Sequence, residues 1–289
     1  MKLPSGNAML LNGAAILFVG ASLAVVVRST FVADEVAPCK ERYAIGTRLS
    51  LERQGAPVTT AELQSQLANS DWGLLDAARV VPVKSGPTKL ALELDLAKAE
   101  GTARTAGSER AGIGFNWAPG TFKRREAACL TYSVMPGEGF GFGKGGRLPG
   151  LQGTSSGAGS DATPEAFSMR FAWSGTGEIG VHPDLPRWPE GRSLNGWLDK
   201  PALKPGRWNE LEQEVVLHTP GKADGVLRLW QAGGLVRKKA DVVFGSTPAV
   251  MISGVLAETA GGATGEGAKG ASQKVSITPF ELRWPRAGE

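Results

Sequence analysis

The sequence predicts an all-β protein, a two-sheet β-sandwich of the jelly-roll type. Glycine supplies 40 of the 289 residues, about twice its usual share, and it follows no collagen period. Glycine at this frequency serves turns and bulges, which favours short strands over long helices. About ten short segments also alternate apolar and polar residues with the two-residue period of a half-buried strand. Such a succession of strands and polar turns is typical of an antiparallel sandwich.

Individual elements can be placed along the chain. Residues 130–134 and 167–173 have the clearest strand alternation, with aromatic and aliphatic side chains on one face and polar ones on the other. Tyr132 is expected to point into the core. The alternation changes phase at Thr278, which indicates a bulge or bend before the last strand. One helix is predicted after Thr59, because a threonine followed three residues later by glutamate forms a capping box.

The first residues have the composition of an export signal. No charged residue occurs from position 8 to 27, while Lys2 precedes this stretch and Arg28 follows it. An apolar stretch of this kind is typical of a signal peptide or of an uncleaved signal anchor. We therefore expect a secreted or periplasmic protein, with membrane anchoring through residues 8–27 as an open alternative.

Three segments follow from these patterns. Residues 1–33 are predicted to be the signal peptide or signal anchor, and residues 34–69 an N-terminal extension with a short helix. Residues 70–289 are predicted to form one jelly-roll domain, because no linker or repeat divides them. Glycine-rich loops are expected at 153–163 and 258–274.

The two cysteines fall in the part of the chain predicted to be exported. Cys39 and Cys129 can form one disulfide there, although two separate buried thiols are an equally good interpretation. Neither cysteine has a second ligand at metal-binding spacing, and His182 and His218 are the only histidines. We therefore expect no zinc site. No other metal ligand set and no cofactor is predicted, and a structural calcium stays an open alternative.

The net charge of the chain bears on which classes of partner it can bind. The net charge is +4, and it falls to +2 without the leader (30 basic against 28 acidic residues). Nucleic-acid-binding domains usually concentrate far more positive charge on one face, so a nucleic-acid partner is not expected. We expect a monomer.

A set of ordered motifs distinguishes this chain from a generic sandwich. The sequence reads GGRLPGL at 145–151 and FSMRFAW at 167–173, followed by GRWN at 206–209, DGVL at 224–227 and a glycine pair at 261–262. In this order the motifs resemble polysaccharide lyase family 14, the alginate and glucuronan lyase group.

The resemblance covers roughly residues 70–285 and implies a concanavalin-like jelly roll that cleaves an anionic polysaccharide by β-elimination. It implies that Ser168 and Arg170 bind the substrate. Two departures affect the catalytic set. Arg147 stands where the family has its catalytic lysine, with Lys144 three residues earlier, and the family's tyrosine pair aligns with His182 and Asp184.

The chemistry of elimination gives these residue types distinct tasks. A guanidinium matches a carboxylate with its planar fork and keeps its charge, so arginine suits neutralisation of the substrate carboxylate. Arginine cannot accept the C5 proton, because it does not deprotonate in proteins. His182 is the natural candidate base, since imidazole titrates near neutral pH. It shares a strand face with Glu178, and Asp184 could orient it.

Several alternatives remain open at this point. Arg147 could be an ordinary surface charge, Ser168 and Arg170 a solvated sheet face, and His182 a structural residue. Glu210, Glu212 and Glu214 alternate on one strand and are interpreted as its polar face. Two functions fit the motifs: an exported lyase that acts on a uronate-containing polysaccharide, or a non-catalytic glycan-binding module on the same fold. In the lyase, His182, Lys144 and Arg147 are the catalytic candidates, and Ser168, Arg170, Asp184 and Glu178 are the substrate-binding candidates.

Overall fold

Two antiparallel β-sheets packed face to face form the protein in a computed structural model. The structure describes residues 36–68, 70–99, 112–120, 122, 124–155, 165–186, 197–246, 250–261 and 272–285. The predicted leader at residues 1–33 and most of the glycine-rich loop at 153–163 lie outside this set. The described residues from Pro38 onward belong to one compact unit. Among the described residues, no helix is long and apolar enough to cross a membrane.

The described residues form eighteen strands, in chain order: β1 (Ala44–Arg48), β2 (Glu52–Arg53), β3 (Ala56–Pro57), β4 (Asp71–Trp72), β5 (Ala78–Pro82), β6 (Leu90–Asp95), β7 (Ile113–Trp117), β8 (Ala127–Pro136), β9 (Gly146–Ser155), β10 (Ala166–Trp173), β11 (Glu178–Asp184), β12 (Trp197–Ala202), β13 (Asn209–Val216), β14 (Gly225–Gln231), β15 (Gly234–Val242), β16 (Val250–Gly261), β17 (Lys274–Ile277) and β18 (Glu281–Trp284). A nine-stranded sheet has the order β15-β14-β13-β8-β17-β6-β5, and β18 pairs with both β8 and β1. A seven-stranded sheet has the order β12-β11-β10-β9-β16-β7-β4, and β2 pairs with β3 as a separate ribbon. The predicted jelly-roll-like β-sandwich is therefore confirmed.

The core lies between the two sheets, where the apolar faces predicted from the alternation meet. Tyr132 on β8 is 2% exposed, and its ring lies edge-on to Phe171 of β10 in the opposite sheet. It also packs edge-on against Phe280, at a centroid distance of 5.4 Å. Phe280 lies between β17 and β18, so the predicted phase change after Thr278 turns this ring into the core.

Four short helices complete the described part: α1 (Cys39–Arg42), α2 (Thr60–Gln66), α3 (Leu74–Ala77) and α4 (Leu96–Ala99). The capping box that predicted α2 is present. The Thr59 side chain accepts a hydrogen bond from the Glu62 backbone N–H, and the Glu62 carboxylate accepts one from the Thr59 backbone N–H. These contacts satisfy two N–H groups that a helix start leaves unpaired.

Helix α1 packs against the outer face of the nine-stranded sheet and is crosslinked to it by a disulfide. We call residues 39–42 the clasp. Cys39 forms a disulfide with Cys129 of β8, which decides between the two interpretations of the cysteines. The Lys40 backbone N–H donates to the Glu212 carboxylate at 3.0 Å. Arg42 lies 2.8 Å from the Glu214 carboxylate.

The clasp changes the interpretation of the glutamates on β13. Glu212 and Glu214 are 1% and 0% exposed, so this polar face is not solvated. Glu214 also pairs with Arg228 of β14 at 2.6 Å, which places one buried carboxylate between two guanidinium groups. Buried carboxylates require such partners, because an unpaired charge out of water is strongly unfavourable. The alternation located this face correctly, but it could not show that another segment covers it.

Candidate active site

The candidate site lies on the outer face of the seven-stranded sheet, away from the core. On β10, Phe167, Met169, Phe171 and Trp173 point inward, so Ser168 and Arg170 point outward. The register places Arg170 directly opposite His182 of β11, and Ser168 opposite Asp184. Directly paired residues share a sheet face with their Cβ atoms about 5 Å apart. Four of the predicted site residues therefore form one block.

Arg147 joins this block from the other side of β10. It lies on β9 opposite Ala172, and it is also paired with Ala260 of β16. It therefore occupies the row next to Arg170 on the same face. We call the outer surface formed by these residues the arginine face; it consists of Arg147, Ser168, Arg170, His182, Asp184 and Glu258.

A bulge in β9 shapes the face beside Arg170. The register between β9 and β10 shifts between Arg170 and Phe171, so Pro149 is the extra residue. Gly150 lies opposite Arg170, and a Cβ there would come within 2.0 Å of the Met169 carbonyl oxygen. No larger residue fits without moving the backbone of β10. The glycine of the GGRLPGL motif is therefore a steric requirement of the site.

Two buried polar residues of the opposite sheet support this bulge from below. The Tyr132 hydroxyl donates to the Pro149 carbonyl at 2.9 Å. The Gln213 side chain accepts from the Leu151 backbone N–H at 2.7 Å and donates to the Met169 carbonyl at 2.6 Å. These bonds satisfy backbone groups around the irregular pairing, and unsatisfied groups there would be costly because the region is buried.

Glu258 of β16 joins the two arginines of the site. Its carboxylate forms an ion pair with Arg170 through Oε2, and its Oε1 lies 3.3 Å from Arg147 Nη2. Glu258 is 3% exposed and Arg170 is 6% exposed, so this pair is shielded from water. The Arg170 part of the face is consequently not a solvated sheet surface, and Arg147 is not an isolated surface charge.

Several buried polar atoms in and beside this network have no hydrogen-bond partner among the described residues. Ser168 Oγ and Arg170 Nε are both buried and unpaired in the part of the chain that the structure describes. Buried polar atoms are normally satisfied, and an unsatisfied one indicates a ligand, a water or stored strain. Both atoms belong to residues predicted to bind substrate.

The electrostatic surroundings keep the His182 imidazole neutral. Loss of water around the ring, followed by the positive charges of Arg170 and Arg147, lowers the pKa of His182 below its usual 6.5. The carboxylates of Glu258 and Asp184 act in the opposite direction but do not compensate. His182 is exposed at the sheet surface. A neutral, accessible imidazole beside two guanidinium groups is able to accept a proton at neutral pH.

The other two sequence candidates lie apart from this block. Glu178 begins β11, where its carboxylate accepts hydrogen bonds from Ser174 and Thr176 at 3.0 Å each and closes the turn between β10 and β11. It is four residues from His182, about 13 Å along the strand. Lys144 is exposed in the turn before β9 and makes no ion pair with the residues that the structure describes.

Sequence reasoning missed Glu258, because the segment from 258 onward was predicted to be a loop. This prediction is wrong for its first residues, since β16 continues to Gly261. A signal was available: Glu258 is the only charged residue between Asp241 and Glu266. A single carboxylate within an apolar run must find a partner if the run is buried.

Metal-ligand side chains also cluster elsewhere in the described residues. Cys39, Cys129 and Glu212 form the one such group there, and its two sulfur atoms are bonded to each other. This group lies on the nine-stranded sheet, opposite the arginine face.

The fold is a jelly-roll-like β-sandwich with an arginine-containing face on one sheet, and part of the chain matches a known family model. Residues 87–192 match the family model described as Polysaccharide lyase 14, which confirms the resemblance to that family. The matched segment contains Arg147, Ser168, Arg170 and His182, whereas Glu258 lies beyond it. No curated protein matches the chain by sequence.

Three solved structures with the same fold are alginate lyases. The PL-14 alginate lyase of Aplysia kurodai has a TM-score of 0.62 and 20% identity, and the match covers 84% of this chain and 100% of that one. The alginate lyase vAL-1 from Chlorella virus has a TM-score of 0.59 and 18% identity, with 83% and 99% covered. Alginate lyase Aly36B has a TM-score of 0.53 and 15% identity, with 85% and 100% covered. At these identities the likeness establishes the fold.

Proposed function

We propose that this protein is an exported polysaccharide lyase that cleaves a uronate-containing polysaccharide by β-elimination. The observation that carries the proposal is the pairing of a neutral, exposed His182 with the buried guanidinium of Arg170 on one sheet face. The family match over residues 87–192 and the alginate-lyase fold support the same reaction class. The protein needs no cofactor for this chemistry.

The reaction begins with neutralisation of the substrate carboxylate. Arg170 Nε and Ser168 Oγ are unpaired groups on the same face of β10, and both can donate to a carboxylate oxygen. Arg147 lies in the next row and adds a second positive charge. Withdrawal of charge from the carboxylate makes the neighbouring C5 proton more acidic and stabilises the enolate that forms when it leaves.

Proton transfer then completes the elimination. His182 accepts the C5 proton, and the electron pair of that C–H bond forms the C4–C5 double bond while the C4–O glycosidic bond breaks. The departing oxygen takes a proton from the imidazolium of His182. Lys144, which lies apart from this block in the turn before β9, is the second candidate donor from the sequence. Asp184, two residues from His182 on the same strand face, orients the imidazole and stabilises its charged form.

The disulfide supports the exported location. Cys39 and Cys129 are bonded to each other, and such bonds persist in oxidising compartments outside the cytoplasm. This agrees with the apolar, uncharged stretch at residues 8–27, which is typical of an export signal.

One observation favours a second function, a glycan-binding module without catalysis. The Glu258 carboxylate already occupies one end of the Arg170 guanidinium, and Arg147 cannot serve as a base. A protein that retains the binding face but lacks an effective base would bind the polymer without cleaving it.

The test is ultraviolet absorbance during incubation of the protein with uronate-containing polymers. Elimination creates a conjugated unsaturated uronate, which hydrolysis does not. We expect an absorbance rise that His182→Ala abolishes and Lys144→Ala only weakens. Binding without a rise, lost in Arg170→Ala, would replace the lyase by the binding module. A rise that persists in His182→Ala would show that another residue is the base.

A further inference from the structure

The arginine face carries nearly balanced charge, which is unexpected for a surface that binds a polyanion. Arg147 and Arg170 contribute two positive charges, and Glu258 and Asp184 contribute two negative ones. His182 adds no full charge at neutral pH, because its pKa is lowered. Among the described residues, the electrostatic attraction of this face for a densely charged polymer is therefore small.

Glu258 also limits how many substrate carboxylates the arginines can hold. One end of the Arg170 fork is occupied by the Glu258 carboxylate, which lies within 3.3 Å of Arg147 as well. Arg170 Nε and Ser168 Oγ are buried and unpaired on residues that are two positions apart on the same strand face, and each can donate to a substrate carboxylate. For a second substrate carboxylate the face offers only Arg147, which Glu258 already contacts, while Glu258 and Asp184 would repel it.

We propose that the arginine face selects an acidic heteropolysaccharide, in which uronates are separated by neutral sugars, and that Glu258 is the residue responsible for this selection. The proposal rests on the proposed function and specifies its substrate class. A homopolymer of uronic acids presents a carboxylate on every ring, so its neighbouring carboxylates meet the two acidic side chains of the face. Repulsion of this kind is a common source of specificity, since it penalises the wrong ligand without any new contact to the right one.

The experiment compares two groups of defined polymers on the wild-type protein and its variants. Polymannuronate and polyglucuronate carry a carboxylate on each ring, whereas hyaluronan and deacylated gellan separate their glucuronates by neutral sugars. Both elimination and equilibrium binding are measured for each polymer. The selectivity is the ratio of the kcat/KM values, or of the binding constants, between the heteropolymer that is used best and the homopolymer that is used best.

Two variants change the face at one carboxylate each. Glu258→Gln retains the size and hydrogen-bonding capacity of the side chain, and we expect it to shift the ratio toward homopolymers by at least about tenfold. Asp184→Asn alters an exposed residue, and we expect a shift of about two- to fivefold in the same direction. The second variant keeps the proposal testable if Glu258→Gln is poorly folded.

Glu214→Gln is the matched control. Glu214 is also a buried carboxylate between two arginines, Arg42 and Arg228, but it lies on the opposite sheet under the clasp. Its replacement should lower stability as the Glu258 replacement does and leave the polymer selectivity unchanged. A shift in Glu258→Gln that Glu214→Gln lacks therefore reports the site and not a general loss of stability.

The outcomes separate this inference from the function on which it rests. If the wild-type protein cleaves homopolymers and heteropolymers equally well, the inference is overturned and the proposed lyase function stands. The same holds if the selectivity ratio is unchanged in both Glu258→Gln and Asp184→Asn. Selective binding of heteropolymers without elimination retains the inference and overturns the lyase. Binding to no polymer overturns both.

Discussion

Removal of the disulfide between Cys39 and Cys129 should destabilise the protein by several kcal/mol. The perturbation is the double variant Cys39→Ala, Cys129→Ala, since both residues are fully buried and alanine introduces no unpaired polar atom. The two cysteines are 90 residues apart. A crosslink over a loop of this length lowers the entropy of the unfolded chain by about 15 cal/mol/K, which corresponds to about 4.6 kcal/mol at 25 °C.

The assay is equilibrium unfolding in guanidinium chloride, followed by tryptophan fluorescence. The midpoint should fall, and the m-value should rise because the unfolded chain without the crosslink is more expanded. For a domain of this size a loss of about 4.6 kcal/mol lowers the melting temperature by about 10 to 18 °C. The wild-type protein treated with a phosphine reductant should behave like the double variant.

A loss below about 1 kcal/mol would refute the reasoning, because it would mean that the unfolded chain is not constrained by the crosslink. Activity provides a second check. Cys129 lies on β8 of the nine-stranded sheet, and the arginine face lies on the other sheet. Turnover by the folded double variant should therefore equal that of the wild type at a temperature where both are folded.

Three further predictions follow from the site and its supports. The acidic limb of the pH profile of kcat/KM should have its midpoint below pH 6.5, because His182 must be neutral to act as the base and its pKa is lowered. Arg147→Gln removes a cation that lowers the pKa of His182, so it should move this limb to higher pH. A limb that does not move would exclude His182 as the base. Tyr132→Phe should cost about 1 to 3 kcal/mol in denaturant unfolding, because it leaves the Pro149 carbonyl without its donor; a smaller loss would mean that water replaces the hydroxyl. Thr59→Ala should cost about 1 kcal/mol by the same measurement, and an unchanged midpoint would show that the cap of α2 contributes nothing.

Local patterns predicted the fold because one rule applies to every strand of a β-sandwich: a two-residue period determines which side chains face the core. The core residues contributed by β8 and β10 occupy every second position of these strands. The capping box at Thr59 predicted α2 for the same reason, since the signal and the structure lie within four residues. Strand order could not be predicted in this way, because β8 pairs with β13, β17 and β18, which are distant in sequence.

The candidate site was predicted only in part, because some of its residues come from strands that are distant in sequence. Motifs placed Ser168 and Arg170 on one face of a single strand, and the pairing of β10 with β11 then determines which residues of the neighbouring strand stand opposite them. Glu258 lies 88 residues from Arg170, on a strand that reaches the site across β9. A contact of this separation depends on the register of two strand pairs, which one sequence does not reveal.

The two sheets carry the same ionic arrangement, and its location determines what it can do. Arg42, Glu214 and Arg228 form a buried cluster on one sheet, as Arg147, Glu258 and Arg170 do on the other. The first cluster includes an arginine of the clasp, so its charges hold a segment of the chain in place. The second has an exposed imidazole beside it and the unpaired groups of two predicted substrate-binding residues within it. A buried ion pair is therefore weak evidence for a site by itself. What distinguishes the arginine face is the combination of a neutral base and unused donors, and the paired variants Glu214→Gln and Glu258→Gln isolate that difference.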